Sequence, residues 1–171
     1  KTHANTIISA LRNAGNTNLV LVPPTSWAQD VMTVANDTSS DRPDRYDPSH
    51  NVAYTFHFYA GTHYFQANVE NALANGIALF CSEFGLSESW GGGTINISNA
   101  NAWKTLMDNN YIGWCNWNFS NKNETSAALV PLNPGDLVDN EQQWFDNVYN
   151  RQSGPWSDSE LSQSGQTIKS W

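Results

Sequence analysis

Three short stretches carry the side chains best able to do chemistry. "YTFHFY" (54–59) contains His57 and Tyr59, "FCSE" (80–83) ends on Glu83, and "YIGWCNW" (111–117) ends on Trp117. Each reads as an apolar strand. Side chains alternate along a strand, so His57 and Tyr59 share one face and Cys81 and Glu83 share another. In parallel α/β architectures functional groups gather where strands end and helices begin. Three strand ends would then deliver an imidazole and a phenol, a carboxylate and an indole to one rim. One strand-end glutamate is more often an ordinary solvated residue; the coincidence across three strands argues for a site. A carboxylate beside an aromatic platform suits glycoside hydrolysis, because a carboxylate can stabilise or trap an oxocarbenium-like transition state. A neighbouring phenol can hold one carboxylate oxygen and keep the group ionised. Other chemistries lack their signatures. There is no HExxH or CxxC for a metal, no nucleophile elbow for a serine triad, and no Gly-x-Gly-x-x-Gly or phosphate-binding loop.

The elements that must position these groups alternate between helix and strand. "ANTIISALRNAG" puts Ile7, Ile8 and Leu11 on one helical face and closes on Gly15. "NLVLV" (18–22) is a short strand stopped by Pro23 and Pro24. "SWAQDVMTVA" predicts a short helix capped by Ser26. A polar loop spans Asn36 to His50, and the next strand is Asn51–Tyr59. "THYFQANVENALANG" predicts a helix closed by Gly76, followed by a strand over Ile77–Glu83 and the Gly-rich loop "SWGGGT". "SNANAWKTLMDNN" is a further helix, Tyr111–Trp117 a fourth strand, and a helical turn is expected around "NEQQWFDNVY". The chain closes on "SDSELSQSGQTIKSW", read as a helix interrupted near Gly165. This alternation implies βαβ units and a parallel sheet.

Composition narrows the partners. The 171 residues are 39% hydrophobic, enough for one domain (1–171) with its own core rather than a disordered chain. A net charge of -8 argues against nucleic acid and anionic membrane surfaces, both of which need basic patches. No apolar run approaches the roughly 20 residues that cross a bilayer. Eight tryptophans and six tyrosines, with few cations, suit a neutral, hydroxyl-rich ligand, although many of these rings must also fill the core. Cys81 and Cys115 are expected as two buried free thiols. Sequons at Asn36, Asn96, Asn118 and Asn123 are close to chance in so Asn- and Ser-rich a chain. Lys1 is not an initiator methionine and nothing near it reads as a leader, so the chain is expected to be processed or a piece of a longer one.

"NVAYTFHFYAGTH", "FCSEFG" and "WCNWNFSNKNETSAAL" together resemble the sixth, seventh and eighth strand regions of glycoside hydrolase family 5, closest to its bacterial-type endo-β-1,4-glucanases. "NLVLVPPTSWAQDV" resembles that family's fifth strand and loop, and "PWSDSELSQSG" the start of its last helix. The fold so implied is a (β/α)8 TIM barrel, of which this chain supplies the last four βα units, a half barrel. The resemblance puts Glu83 in the place of the catalytic nucleophile. Tyr59 is expected to hydrogen-bond Glu83, and His57 to help position the acid/base and the sugar. Trp117 matches the floor under the sugar beside the scissile bond. Lys122 and Glu124 match residues that grip hydroxyls further along the glycone side. Trp27 matches an aromatic platform on the leaving-group side, and His63 lies just outside the centre or at a helix start. Departures occur at Phe84, where tryptophan is common, at "VPPTSW", and in an inserted segment over Asn133–Gly154.

The retaining reaction needs a second carboxyl about 5–5.5 Å from the nucleophile. In the resembled family that is the glutamate of an Asn-Glu pair after strand four, a region upstream of Lys1. The two Asn-Glu pairs present, Asn123-Glu124 and Asn140-Glu141, both follow the last strand. The expectations are therefore a complementary N-terminal half-barrel chain, a β-glucan substrate, no cofactor, no metal, and a secreted location, since polymeric glucans lie outside cells. Mannan, xyloglucan or mixed-linkage glucan remain alternative substrates, and a non-catalytic carbohydrate-binding fragment is the alternative of a different class.

Overall fold

The computed structural model describes residues 1–130 and 156–171. Helix α1 (Thr2–Asn13) is followed by strand β1 (Val20–Val22), the short helices α2 (Thr25–Ala28), α3 (Val31–Ala35) and α4 (Pro43–Tyr46), and strand β2 (Val52–Tyr59). Helix α5 (Gln66–Ala74), strand β3 (Leu79–Gly85), helix α6 (Ile97–Asn109) and strand β4 (Trp114–Asn116) come next. A 3-10 turn (Asp158–Glu160) and helix α7 (Gln163–Lys169) close the described chain. The four strands form one sheet in the order β1-β2-β3-β4, the sequential order of successive βα units. β1 and β2 pair in parallel with Val20 opposite Val52 and Val22 opposite Tyr54. β2 is buried along almost its whole length, as expected of a parallel strand covered on both faces. This is the α/β alternation of a (β/α)8 barrel, four units of the eight.

Packing divides the chain into two compact units: Lys1–His57 with Phe65–Glu83 and Thr105–Cys115, and Phe58–Tyr64 with Phe84–Lys104 and Asn116–Trp171. In the first, Ile8, Val31, Phe56, Val69, Cys81 and Met107 are fully buried, and α3 packs against α5. A buried ion pair ties α1 to the entry of β2. Asp47 accepts from Arg12 Nε at 2.8 Å and Nη2 at 2.7 Å, and from the backbone N–H of Ser49 and Asn51. The Arg12 hydrogen bonds, with those backbone donors, hold the Asp47 carboxyl well below the usual carboxylate range.

The second unit is built on stacked aromatics. Phe58 stacks on Trp103 at 4.2 Å and on Phe84 at 5.1 Å, and Phe84 stacks on Trp171 at 5.4 Å. Phe58, Phe84 and Trp103 have no solvent exposure.

Several local expectations change. Ser26 does not cap one helix over residues 26–35. Ser26, Trp27 and Ala28 take positive φ (56°, 52° and 61°), a left-handed turn that breaks the segment in two. Asp30 caps α3 instead, accepting from the Thr33 N–H. The loop expected over 36–50 contains α4, started by Pro43 at its first turn. α5 begins at Gln66 rather than near Thr62, because 60–63 form a hydrogen-bonded turn in which Thr62 and His63 both donate to the Tyr59 carbonyl. The last segment breaks at Leu161–Ser162, where Ser162 caps α7, and the helix runs straight through Gly165. A Cβ at Gly165 would lie 2.0 Å from the Ala128 carbonyl oxygen, so close backbone approach explains that glycine. Cys81 is buried as expected, but Cys115, on β4, is exposed. The turn expected around "NEQQWFDNVY" and the inserted segment lie outside the described residues.

Candidate active site

The structure groups the sequence-derived candidates in two sets, one in each unit. In the first unit, β2 delivers His57 and β3 delivers Glu83. His57 Nδ1 lies 3.7 Å from Glu83 Oε2, close enough for ion pairing when the ring is protonated but beyond a normal hydrogen bond. The other ring nitrogen, Nε2, is 2.8 Å from the Ser82 hydroxyl. Both side chains are about one quarter exposed (26% and 27%), so each is fixed on one side and open on the other. Ser82 is absent from the sequence-derived candidates. Alternation along β3 assigns it to the face opposite Glu83, yet the His57 ring reaches both.

Trp27 belongs to the same unit and is 85% exposed. Left-handed backbone costs a non-glycine residue roughly 1–2 kcal/mol, and three consecutive residues bear it here. Thr25 Oγ1 donates to Asp30 at 3.2 Å, the Gln29 N–H to the Ser26 carbonyl, and the Asp30 N–H to the Thr25 carbonyl, which together fix the turn. Strain of this kind concentrates at functional positions, and here it holds an indole out to solvent.

In the second unit, Tyr59 and His63 form one constellation. The Tyr59 N–H donates to His63 Nδ1 at 2.9 Å, which assigns the neutral ring a proton on Nε2. The His63 carbonyl accepts from Asn99 Nδ2 at 2.8 Å and Trp103 Nε1 at 3.2 Å. Burial pushes the His63 pKa below its ordinary value. His63 thus holds the turn that ends β2, a scaffold role on these contacts. The Tyr59 ring lies against Gly85, where a Cβ would sit 2.6 Å from Tyr59 Cδ1. Any larger residue there would displace the phenol.

Trp117 is half exposed (48%). Its N–H donates to the Phe84 carbonyl at 2.7 Å, and Asn116 Nδ2 donates to the same oxygen at 3.1 Å. The Trp117–Asn118 peptide bond is cis. The following loop closes on Glu124, which accepts from Asn118 Nδ2 at 2.7 Å and Ser126 Oγ at 3.0 Å on one oxygen and pairs with Lys122 Nζ at 2.7 Å on the other. Burial by itself would raise the Glu124 pKa. The hydrogen bonds from Lys122, Asn118 and Ser126 outweigh it, and the carboxyl sits below its ordinary value. Lys122 is 71% exposed and Glu124 only 11%, so the carboxylate ties the loop and the ammonium faces solvent.

The family model described as "Cellulase (glycosyl hydrolase family 5)" matches residues 1–123. Among curated relatives, "Endoglucanase A" of Evansella cellulosilytica is 36% identical over 99% of this chain and 30% of its own length. "Endoglucanase Z" of Dickeya dadantii is 38% identical over 77% of this chain and 29% of its own. Among solved structures, a thermostable, halotolerant GH5 cellulase from an Icelandic hot spring isolate superposes with TM-score 0.78 at 29% identity, covering 99% of this chain and 47% of that one. The alkaline cellulase K catalytic domain gives 0.76 at 28% identity, covering 99% and 48%. The chain therefore spans about a third of these curated relatives and about half of the solved chains.

Proposed function

This chain belongs to glycoside hydrolase family 5, the cellulase family, and from that premise we propose that it supplies the nucleophile half of an endo-acting, retaining β-1,4-glucanase. Glu83 attacks the anomeric carbon and forms a glycosyl-enzyme, which water then hydrolyses. The acid/base glutamate comes from a complementary half carrying the first four βα units, about 5–5.5 Å from Glu83 as retention requires. No cofactor takes part, since two carboxyls suffice for the chemistry.

The observation that carries this reading is the pairing of Glu83 with His57 across neighbouring strands, the ring being fixed from its far side by Ser82. His57 orients the nucleophile, and Tyr59, the last residue of β2, is the phenol assigned to hydrogen-bond its carboxylate. Trp117 is the floor of the sugar site beside the scissile bond, Lys122 and Glu124 bind or position the glycone end, and Trp27 stacks a leaving-group sugar. Half of a barrel leaves two strand edges unpaired, an unfavourable state in isolation, which supports a second polypeptide or an adjoining segment as partner. Action on polymeric glucan implies work outside the cell; among the described residues no helix is long and apolar enough to cross a membrane.

The test joins this chain, in cis or in trans, to an N-terminal half from a family 5 relative. Reducing-end release is then measured on carboxymethylcellulose, mannan, xyloglucan and mixed-linkage glucan. Carboxymethylcellulose is expected to be cut, and Glu83→Gln to lose several orders of magnitude in rate, as when other covalent nucleophiles are removed. A 2-deoxy-2-fluoro-cellobioside bearing a good leaving group should label Glu83 in the peptide map. Unchanged activity in Glu83→Gln, or a label elsewhere, overturns the assignment.

A further inference from the structure

The loop after β3 presents an indole that the mechanism above does not use. In "SESWGGGT", Trp90 is 74% exposed, so its ring contributes little to the core. The loop is nevertheless tightly built. The Glu88 N–H donates to the Gly92 carbonyl at 3.0 Å, and the Gly91 N–H to the Glu88 carbonyl at 2.9 Å. Thr62 anchors one flank, donating to Glu88 Oε2 at 3.1 Å and accepting from the Ser89 N–H at 2.9 Å. The other flank is stitched to the loop that carries Lys122 and Glu124. There the Ser126 N–H donates to the Gly91 carbonyl at 2.8 Å, and Thr125 Oγ1 to the Gly93 carbonyl at 3.0 Å.

The three glycines set the ring's pose. Gly91 and Gly93 take positive φ (90° and 76°), which other residues adopt only with strain. A Cβ at Gly92 would lie 1.9 Å from Trp90 Cζ3, so the indole rests directly against that residue's backbone. A Cβ at Gly91, the next residue along from Trp90, would lie 3.0 Å from Glu124 Oε2. The loop that carries the indole therefore packs, at the residue next to Trp90, against Glu124, the partner of Lys122, within one compact unit.

We propose that Trp90 is an additional aromatic subsite, stacking a glucosyl ring of the bound chain beyond the one served by Lys122 and Glu124. The chemistry selects this occupant. A β-linked pyranose offers a flat C–H face to the indole while its equatorial hydroxyls point outward, where the exposed Lys122 ammonium can meet those of the neighbouring ring. The proposal rests on the glucanase reading, and its place on the glycone side follows from Glu124.

The experiment compares wild type, Trp90→Phe and Trp90→Ala in the complete barrel, on cellotriose through cellohexaose. Because Trp90 is exposed, both variants should fold, which far-UV circular dichroism checks. In wild type, kcat/KM should climb with chain length. Trp90→Ala should lose about tenfold on cellohexaose, the equivalent of one stacked ring, mostly in KM, and distinctly less on cellotriose. Trp90→Phe should recover most of the loss. Identical chain-length profiles for wild type and Trp90→Ala overturn the subsite. Calorimetric binding of cellohexaose to the same proteins gives an independent readout. If wild type binds but hydrolyses nothing, the glucanase reading fails while Trp90 is judged on affinity: about tenfold weaker binding by Trp90→Ala supports the subsite, and equal binding overturns it. If wild type does not bind cellohexaose, the subsite is overturned with it.

Discussion

Phe84 follows Glu83 directly, and its replacement by alanine tests whether the aromatic stack holds the site in place. The side chain is fully buried between Phe58 at 5.1 Å and Trp171 at 5.4 Å. Truncating a buried Phe to Ala costs about 3–5 kcal/mol, since the cavity left behind collapses only in part. Two ring partners are lost together, which places Phe84→Ala well inside that range, at about 4 kcal/mol. Phe84→Leu fills most of the volume and forfeits mainly the ring–ring geometry, about 0.5–1.5 kcal/mol for each stack. The assay is urea unfolding of the chain, alone or joined to its complementary half, followed by tryptophan fluorescence, to which the buried Trp103 contributes. With a slope of about 2 kcal/mol per molar urea, Phe84→Ala should lower the midpoint by about 2 M and Phe84→Leu, which loses about 1–3 kcal/mol over its two stacks, by about 0.5–1.5 M. The Phe84 carbonyl also holds the Trp117 N–H and Asn116, so activity in the complemented barrel should fall in the same order. Equal midpoints for the two variants, or a loss below about 1.5 kcal/mol for Phe84→Ala, would refute the claim that the stack is a packed and oriented core.

Gly165→Ala should lower the melting temperature by about 4–12 °C, taking a cost of about 2–3 kcal/mol for forcing α7 off the Ala128 carbonyl; a shift within error would mean that this close approach is dispensable. The Asp47 carboxyl is depressed in the folded state, so its contribution is fully present above the ordinary value of about 3.9 and is lost as pH falls toward the native value. The melting-temperature gap between wild type and Asp47→Asn should accordingly be widest near neutrality and shrink below about pH 4; a gap independent of pH would show that the ionised pair is not its source. Burial pushes the Cys81 thiol up, whereas Cys115 is exposed, so a disulfide reagent should titrate Cys115 quickly and Cys81 only after unfolding. Equal rates for the two thiols in the folded chain contradict that assignment.

The order of the four strands, the longer helices between them, the parallel sheet and the strand tips that carry His57 and Glu83 were legible in the sequence; the break of the segment between β1 and β2 into three short helices was not. Apolar runs, Gly15 and Gly76 at helix ends, and aromatic and β-branched strand residues are local signals that act over a few positions. Family membership was equally legible, because "FCSEFG" and "WNFSNKNE" carry the resemblance to glycoside hydrolase family 5 within a few contiguous residues. What the sequence could not decide depends on contacts between distant segments. Ser82 meets His57 across two strands, against the alternation that describes either strand alone. Glu124 faces inward because Asn118, Ser126 and Lys122 converge on it, a set of contacts invisible in the sequence, where the resemblance implied only a residue that grips substrate hydroxyls. The loop that presents Trp90 is likewise a tertiary outcome, held by Thr62 on one flank and by Thr125 and Ser126 on the other. Local propensity sets which elements form. Only the folded chain decides which backbone atoms approach closely enough to require glycine and which polar groups find their partners.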